Sequence, residues 1–359
     1  MNPTLVIFIT YILPMFAGLI GLFVPGYGGQ RAWREARNKA RVMAVVNDVS
    51  ASLPPATLDK PLSQLLPLCY QNGALPALFS IEGLGLLYTR RFYEHNLPRQ
   101  NILTDPKLAS IPANSLTMLH AGMGLSFASR TLAGLKKEST PAEITSRLTT
   151  FLDLCQHSSR PGYTGCALEM LGIPVVILHG LALTQRVGQQ LEGMNAAAAA
   201  YLWRGVGRAL YFYPPHFIPR YNNPWPGFDA AARLAPTELA RKNMIAGLAW
   251  ACTLVNIRHP EIMAALISHR QAHDADLDAL VNGVTSAIMM YHDTAPDDVH
   301  LQNFIHHQPI GNSAQAKLWA EMIQQPCEQA LQEIYPLLKQ KQMLEELFRY
   351  QSLFALRDK

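Results

Sequence analysis

Seven side chains able to do chemistry sit in stretches that are otherwise small and apolar: Glu82, His120, Glu169, Arg204, Arg208, Trp250 and Asn282. Arg204 and Arg208 are four apart, so on a helix they project from one face and can clamp a carboxylate or phosphate through paired N–H bonds. Glu82 and Glu169 are the candidate general bases, or else the counter-charges of those arginines. His120, Trp250 and Asn282, with the two arginines, are the candidate ligand contacts. An interior ion-pair network that fixes helix register would use the same residue types, so both roles stand open at this level.

Two further clusters have the look of metal ligands. His269 and His273 are four apart, with Asp274, Asp276 and Asp278 following. That is the spacing of two ligands on a helix, yet no glutamate follows the first histidine, so the metalloprotease motif is absent. A solvated polar face is the expectation there. His292 to His300 gathers three aspartates around a proline, and His306-His307 comes soon after; an ordinary acidic loop is expected. No metal and no cofactor is assigned. The chain carries no Walker loop and no nucleophile elbow, and Gly205 and Gly207 sit in a helical pattern rather than after a strand.

The elements that must position these groups repeat. Gly83, Gly122, Gly165, Gly205, Gly247 and Gly283 align with gaps of 39, 43, 40, 42 and 36 residues. Two places on stand Gly85, Gly124, Ala167, Gly207, Ala249 and Thr285, and the residue between is apolar each time. A helical glycine costs about 1 kcal/mol relative to alanine, so two in one helix imply that another backbone passes too close for a side chain. A period near 40 residues is what an array of helical pairs produces. The expected fold is all-α, an array of about six helical pairs forming an α-solenoid or α/α toroid over residues 61–325, with a C-terminal helix over 326–359. Helix starts are expected at Ser139–Glu143 and Ala235–Glu238, where Ser/Thr and Pro precede an acid. The proline-rich stretch Tyr213–Gly227 reads as a long loop.

With 359 residues, 49% of them hydrophobic, the chain can bury a large core, and its net charge of +4 is mild. Basic residues beyond the first fifty are scattered, which argues against a nucleic-acid partner. The five cysteines form no CxxC and are odd in number, which points to a reducing compartment. Residues 1–30 carry no charged side chain, and Leu5–Val24 is about long enough to cross a bilayer. Arg31, Arg34, Arg37, Lys39 and Arg41 come directly after. One N-terminal transmembrane helix over 1–30 is therefore expected, continuing into a basic juxtamembrane helix and linker over 31–60. The positive-inside rule puts the main domain on the cytoplasmic side of the inner membrane.

Glu82-Gly83, Gly122-Met-Gly124, Gly162-Tyr163 with Glu169, Gly205–Phe212, and Arg241 with Gly247-Leu-Ala249 run in an order that resembles an uncharacterised bacterial domain family. That family belongs to enediyne polyketide and other specialised-metabolite gene clusters, and the resemblance covers roughly residues 80–290. Where the family's third motif has a second aromatic and a histidine beside its glutamate, this chain has Cys166 and Leu168. The resemblance implies a role in metabolite assembly without naming a reaction. The expected function is a membrane-tethered accessory protein binding an apolar, polyketide-like intermediate between its helices, its acidic end held by Arg204 and Arg208. The expected partners are an apolar or acidic small molecule, the lipid bilayer and biosynthetic proteins. An acid–base enzyme acting on such an intermediate, or a scaffold for partner proteins, are the alternatives.

Overall fold

Cap residues and prolines set where this chain enters its helices. In the computed structural model, described over residues 12–94, 101–272, 276–309 and 313–357, those entries fall where the sequence places them. Among the described residues there is no strand, and a single antiparallel bridge joins Arg220 to Asn223. The helices are α1 (Leu13–Gly21), α2 (Gly29–Asn47), α3 (Leu62–Tyr70), α4 (Ala74–Glu94), α5 (Leu116–Leu132), α6 (Pro141–Ser158), α7 (Thr164–Glu169) and α8 (Gly172–Met194). They continue with α9 (Ala196–Phe212), α10 (Pro226–Leu234), α11 (Glu238–Val255), α12 (Pro260–Ala272), α13 (Leu277–Thr294), α14 (Val299–Ile305) and α15 (Ser313–Trp319). Thr140 and Glu143 form a capping box at the start of α6. Thr237 caps α11, and Asn195 caps the alanine run that opens α9.

The six repeated stretches become α4, α5, α7, α9, α11 and α13, and each packs on the next. Their glycines are the contact points. A Cβ added at Gly122 would lie 1.9 Å from the Glu82 carbonyl oxygen, one at Gly205 1.9 Å from that of Glu169, and one at Gly247 2.0 Å from that of Arg204. Any larger residue would have to push a whole backbone away. Burial follows: nearly all of α5, α9, α11 and α13 lies inside the core.

At the N-terminus the structure corrects the sequence reading. Residues 1–11 of the expected span lie outside the described residues. From Leu13 the chain forms a hairpin rather than a helix running on into α2. Pro25 and the left-handed Gly26 (φ 73°) and Gly28 (φ 87°) reverse its direction. α1 then packs antiparallel on α2, Gly21 against Ala32 and Gly18 against Gly29. Two polar side chains of α2 are also built into the core. Glu35 and Lys39, each 3% exposed, pair at 3.2 Å. Tyr27 and Trp225 donate to Glu35, and the Lys39 ammonium lies 4.0 Å from the Tyr211 ring centroid. The loop 213–227 supplies Phe217 and Trp225 to that contact, both buried.

The expected boundary at residue 326 also falls inside a continuous rod. α15, two π turns and two short helices run from Ser313 to Gln340, and a π turn precedes each of Pro326 and Pro336. The wider turn accommodates a proline that would otherwise clash with the preceding carbonyl. One hydrophobic cluster joins residues from Val24 to Leu356. Among the described residues one helical stretch, Thr164–Met194, is long and apolar enough to cross a membrane. About half of that stretch is core, 56% of its window being buried, and Gly180 (φ 74°) breaks its path.

Candidate functional site

Because the glycines of one helix receive the carbonyls of Glu82, Glu169 and Arg204 on the helix before, the side chains of those residues are fixed at the same contacts. They turn inward and meet. Arg208 on α9 donates to both oxygens of Glu82 at 2.7 and 2.8 Å and to Glu169 at 3.3 Å. Its guanidinium lies 4.5 Å from the Trp250 ring centroid. Arg204, one turn earlier, donates to Asn282 at 3.2 Å and to Ser286 at 2.5 Å, and its Nε faces Glu169 at 3.9 Å. Six of the seven candidate residues therefore lie in one network, contributed by α4, α7, α9, α11 and α13. All are at most 5% exposed.

The two glutamates and two arginines cancel in charge but not evenly. Burial opposes the charge on Arg208, yet its two glutamates outweigh burial and hold its pKa above the ordinary arginine value. Arg204 has only one distant carboxylate and two neutral acceptors. Burial lowers it to about 10, and Arg208 adds to the drop while Glu169 resists it. Burial likewise raises the Glu169 carboxyl against the pull of both arginines. The Glu169 Oε1 and the Nε atoms of Arg204 and Arg208 make no hydrogen bond among the described residues.

His120 stands apart from this network. Its Nδ1 bonds the Leu116 carbonyl at 2.7 Å, its Nε2 accepts from the Arg160 backbone N–H at 3.0 Å, and its ring stacks on Tyr163. Burial lowers its pKa to about 4, so it is a neutral core histidine at pH 7.

Glu82 and Arg208 line a cavity of about 190 Å³. The rest of its lining comes from α2, α4, α5, α8 and α9 and is mostly apolar, with Met43, Leu86, Leu125, Ile173, Ile177 and Phe212 beside the polar Asn47, Arg90 and Ser129. The α2 wall was not legible as such, because that helix reads as a basic linker. Ser286 was missed too, although it lies one turn after Asn282.

Four aspartates of the two metal-like clusters are engaged elsewhere. Asp276 pairs with Arg241, and Asp278 with Lys242. Asp293 accepts from Thr117, Tyr335 and Lys339, while Asp298 caps α14 and accepts from Tyr291. His269 lies against the Trp225 ring, and its expected companions His273 and Asp274 fall outside the described residues. No protein-family model, curated protein or solved structure matches the chain.

Proposed function

We propose that this protein binds an apolar, lipid-like or polyketide-like molecule in the helical pocket lined by the Glu82–Arg208 pair, at a membrane face to which its N-terminal hairpin attaches. The observation that carries the reading is the pocket itself, a mostly apolar cavity with a buried ion pair in its wall. Apolar walls with a few fixed polar groups are the usual make-up of a small-molecule site. Binding is favoured over acid–base catalysis because both oxygens of Glu82 are committed to Arg208. Arg208, bonded to Glu82 and Glu169, and Arg204, bonded to Asn282 and Ser286, are on this reading not the clamp for a ligand's acidic end. The link to specialised-metabolite assembly, as an accessory protein serving biosynthetic partners, rests on the motif resemblance.

Sequential packing of the repeated helices, together with contact of α13 with α4, supports an α/α array that curls back on itself. Membrane attachment is supported by the apolar outer face of the hairpin, where Met15, Phe16, Leu19, Leu22 and Phe23 are all more than half exposed. The arginines of α2 favour the cytoplasmic face.

The test is native mass spectrometry with organic extraction of the full chain purified from its host. A stoichiometric apolar molecule, lost when Ile173→Trp fills the pocket, is the expected result. An extract with no such molecule, or one retained by Ile173→Trp, refutes the reading. For attachment, Phe16→Ser with Leu19→Ser and Phe23→Ser is expected to abolish flotation with liposomes while leaving helical content unchanged. Undiminished flotation refutes the hairpin as the anchor.

A further inference from the structure

α4 carries a stripe that leads out of the pocket. Glu82, Leu86 and Arg90 are spaced four apart on one face, so they climb about 12 Å along the helix axis at 1.5 Å per residue. The stripe starts at a buried pair and ends at an exposed guanidinium. Arg90 and Ser129 line the pocket mouth, and both also line a second cleft of about 260 Å³. That cleft is formed by the outer ends of α4 and α5 and adds Tyr93, Glu94, Ser126 and Arg130.

Two guanidiniums thus share a small concave surface with one carboxylate, Glu94. Among the described residues neither Arg90 nor Arg130 has an ion-pair partner, so the cleft keeps an excess of positive charge. Arg130 is held in place by its stack on Tyr93, 3.9 Å from guanidinium to ring centroid. Ser126 supplies an independent sign. It is 1% exposed, it lines the cleft, and its hydroxyl makes no hydrogen bond among the described residues. A buried hydroxyl left unpaired is unfavourable, and an acceptor entering the cleft would relieve that.

We propose that pocket and cleft together bind one amphipathic anion, its carboxylate or phosphate head between Arg90, Arg130 and the Ser126 hydroxyl, and its apolar tail running inward over Leu86 and Leu125. The inference rests on the proposed pocket and adds the ligand's class: an acyl or prenyl-type tail of about 12 Å on an anionic oxygen head. Arg90 and Arg130 take the role expected of Arg204 and Arg208.

The test is equilibrium dialysis of labelled decanol, decanoate and decyl phosphate against the full chain held in a neutral amphipol, with empty amphipol subtracted. Charge-assisted hydrogen bonds imply that at least one of the two anions binds about tenfold or more tighter than decanol, and the tighter of the two identifies the head group. Arg90→Ala with Arg130→Ala should bring that anion down to the level of decanol and leave decanol itself unchanged. Both arginines are exposed, so the double variant is expected to fold. Lysine at both positions should restore part of the preference. Equal binding of anions and alcohol, or an anion unaffected by the double variant, overturns the head-group site while leaving the pocket standing. Anion binding that survives Ile173→Trp overturns the single-ligand proposal. Failure of all three molecules to bind overturns the pocket reading and this one with it.

Discussion

Arg208→Met tests whether the central network holds the fold together. The substitution keeps most of the side-chain stem and removes the charge. It strips Glu82 of both hydrogen bonds, at 2.7 and 2.8 Å, and takes one from Glu169. Glu169 retains Arg204 at 3.9 Å, whereas Glu82 has no other ion-pair partner among the described residues. Breaking a buried pair from one side costs about 3–5 kcal/mol, and the lost contact with Trp250 adds up to about 2 kcal/mol. For a domain of ordinary stability, about 5–15 kcal/mol, that is a large fraction. The companion variant Arg208→Met with Glu82→Leu removes both charges and should recover about 0.5–3 kcal/mol of the loss. Urea unfolding followed by far-ultraviolet circular dichroism measures both. A single variant that loses less than about 1 kcal/mol, or a double variant no more stable than the single, refutes the reasoning.

The glycine contacts make a sharper contrast. Gly205→Ala puts a methyl 1.9 Å from the Glu169 carbonyl and is expected to destabilise by more than the about 1–3 kcal/mol of ordinary overpacking. Gly193→Ala, with open space around its added carbon, should instead gain about 0.5–1 kcal/mol in the same unfolding assay. For His120 the folded pKa of about 4 lies below the unfolded value of about 6.5. The unfolded chain therefore binds the proton first, and stability should fall by about 3 kcal/mol as pH drops from about 6.5 to about 4. His120→Gln should flatten that slope, and an unchanged slope assigns the acid sensitivity to other groups.

The repeat was legible because close backbone contact leaves no substitute for glycine, and that requirement shows through any register drift. Six of the seven candidate side chains were findable for a related reason: a side chain able to hydrogen-bond inside such a helix has only the interior to face. His120 met the same criterion and failed it, because its ring is satisfied by the Leu116 carbonyl and the Arg160 amide. Nothing local in the sequence announces a backbone partner from a loop forty residues away. The N-terminal hairpin was hidden for another reason. Hydropathy and charge order describe Leu5–Val24 and the arginines beyond it, but the reversal lies in Gly26 and Gly28, whose left-handed backbone is a matter of conformation rather than hydropathy. Glu35 and Lys39, four apart on a basic helix, resemble a surface pair until Tyr27, Tyr211 and Trp225 close over them.

Gly122 and Gly205 seat the carbonyls of Glu82 and Glu169, so α4 meets α5 and α7 meets α9 with no room for a side chain between them. The backbones stay close beyond the Glu82–Arg208 pair as well: a Cβ at Gly122 would also lie 2.7 Å from the Leu86 amide nitrogen, and one at Gly85 2.4 Å from the Leu119 carbonyl oxygen. The cavity lies beside those contacts, lined by Leu86, Leu125 and Phe212 with side chains of α2 and α8, and the Glu82–Arg208 pair is part of its wall. Both groups are already paired with each other, so an apolar chain could reach them without stranding a charge. The proposed ligand would be measured against the register of α4 from Glu82 outward to Arg90, about 12 Å.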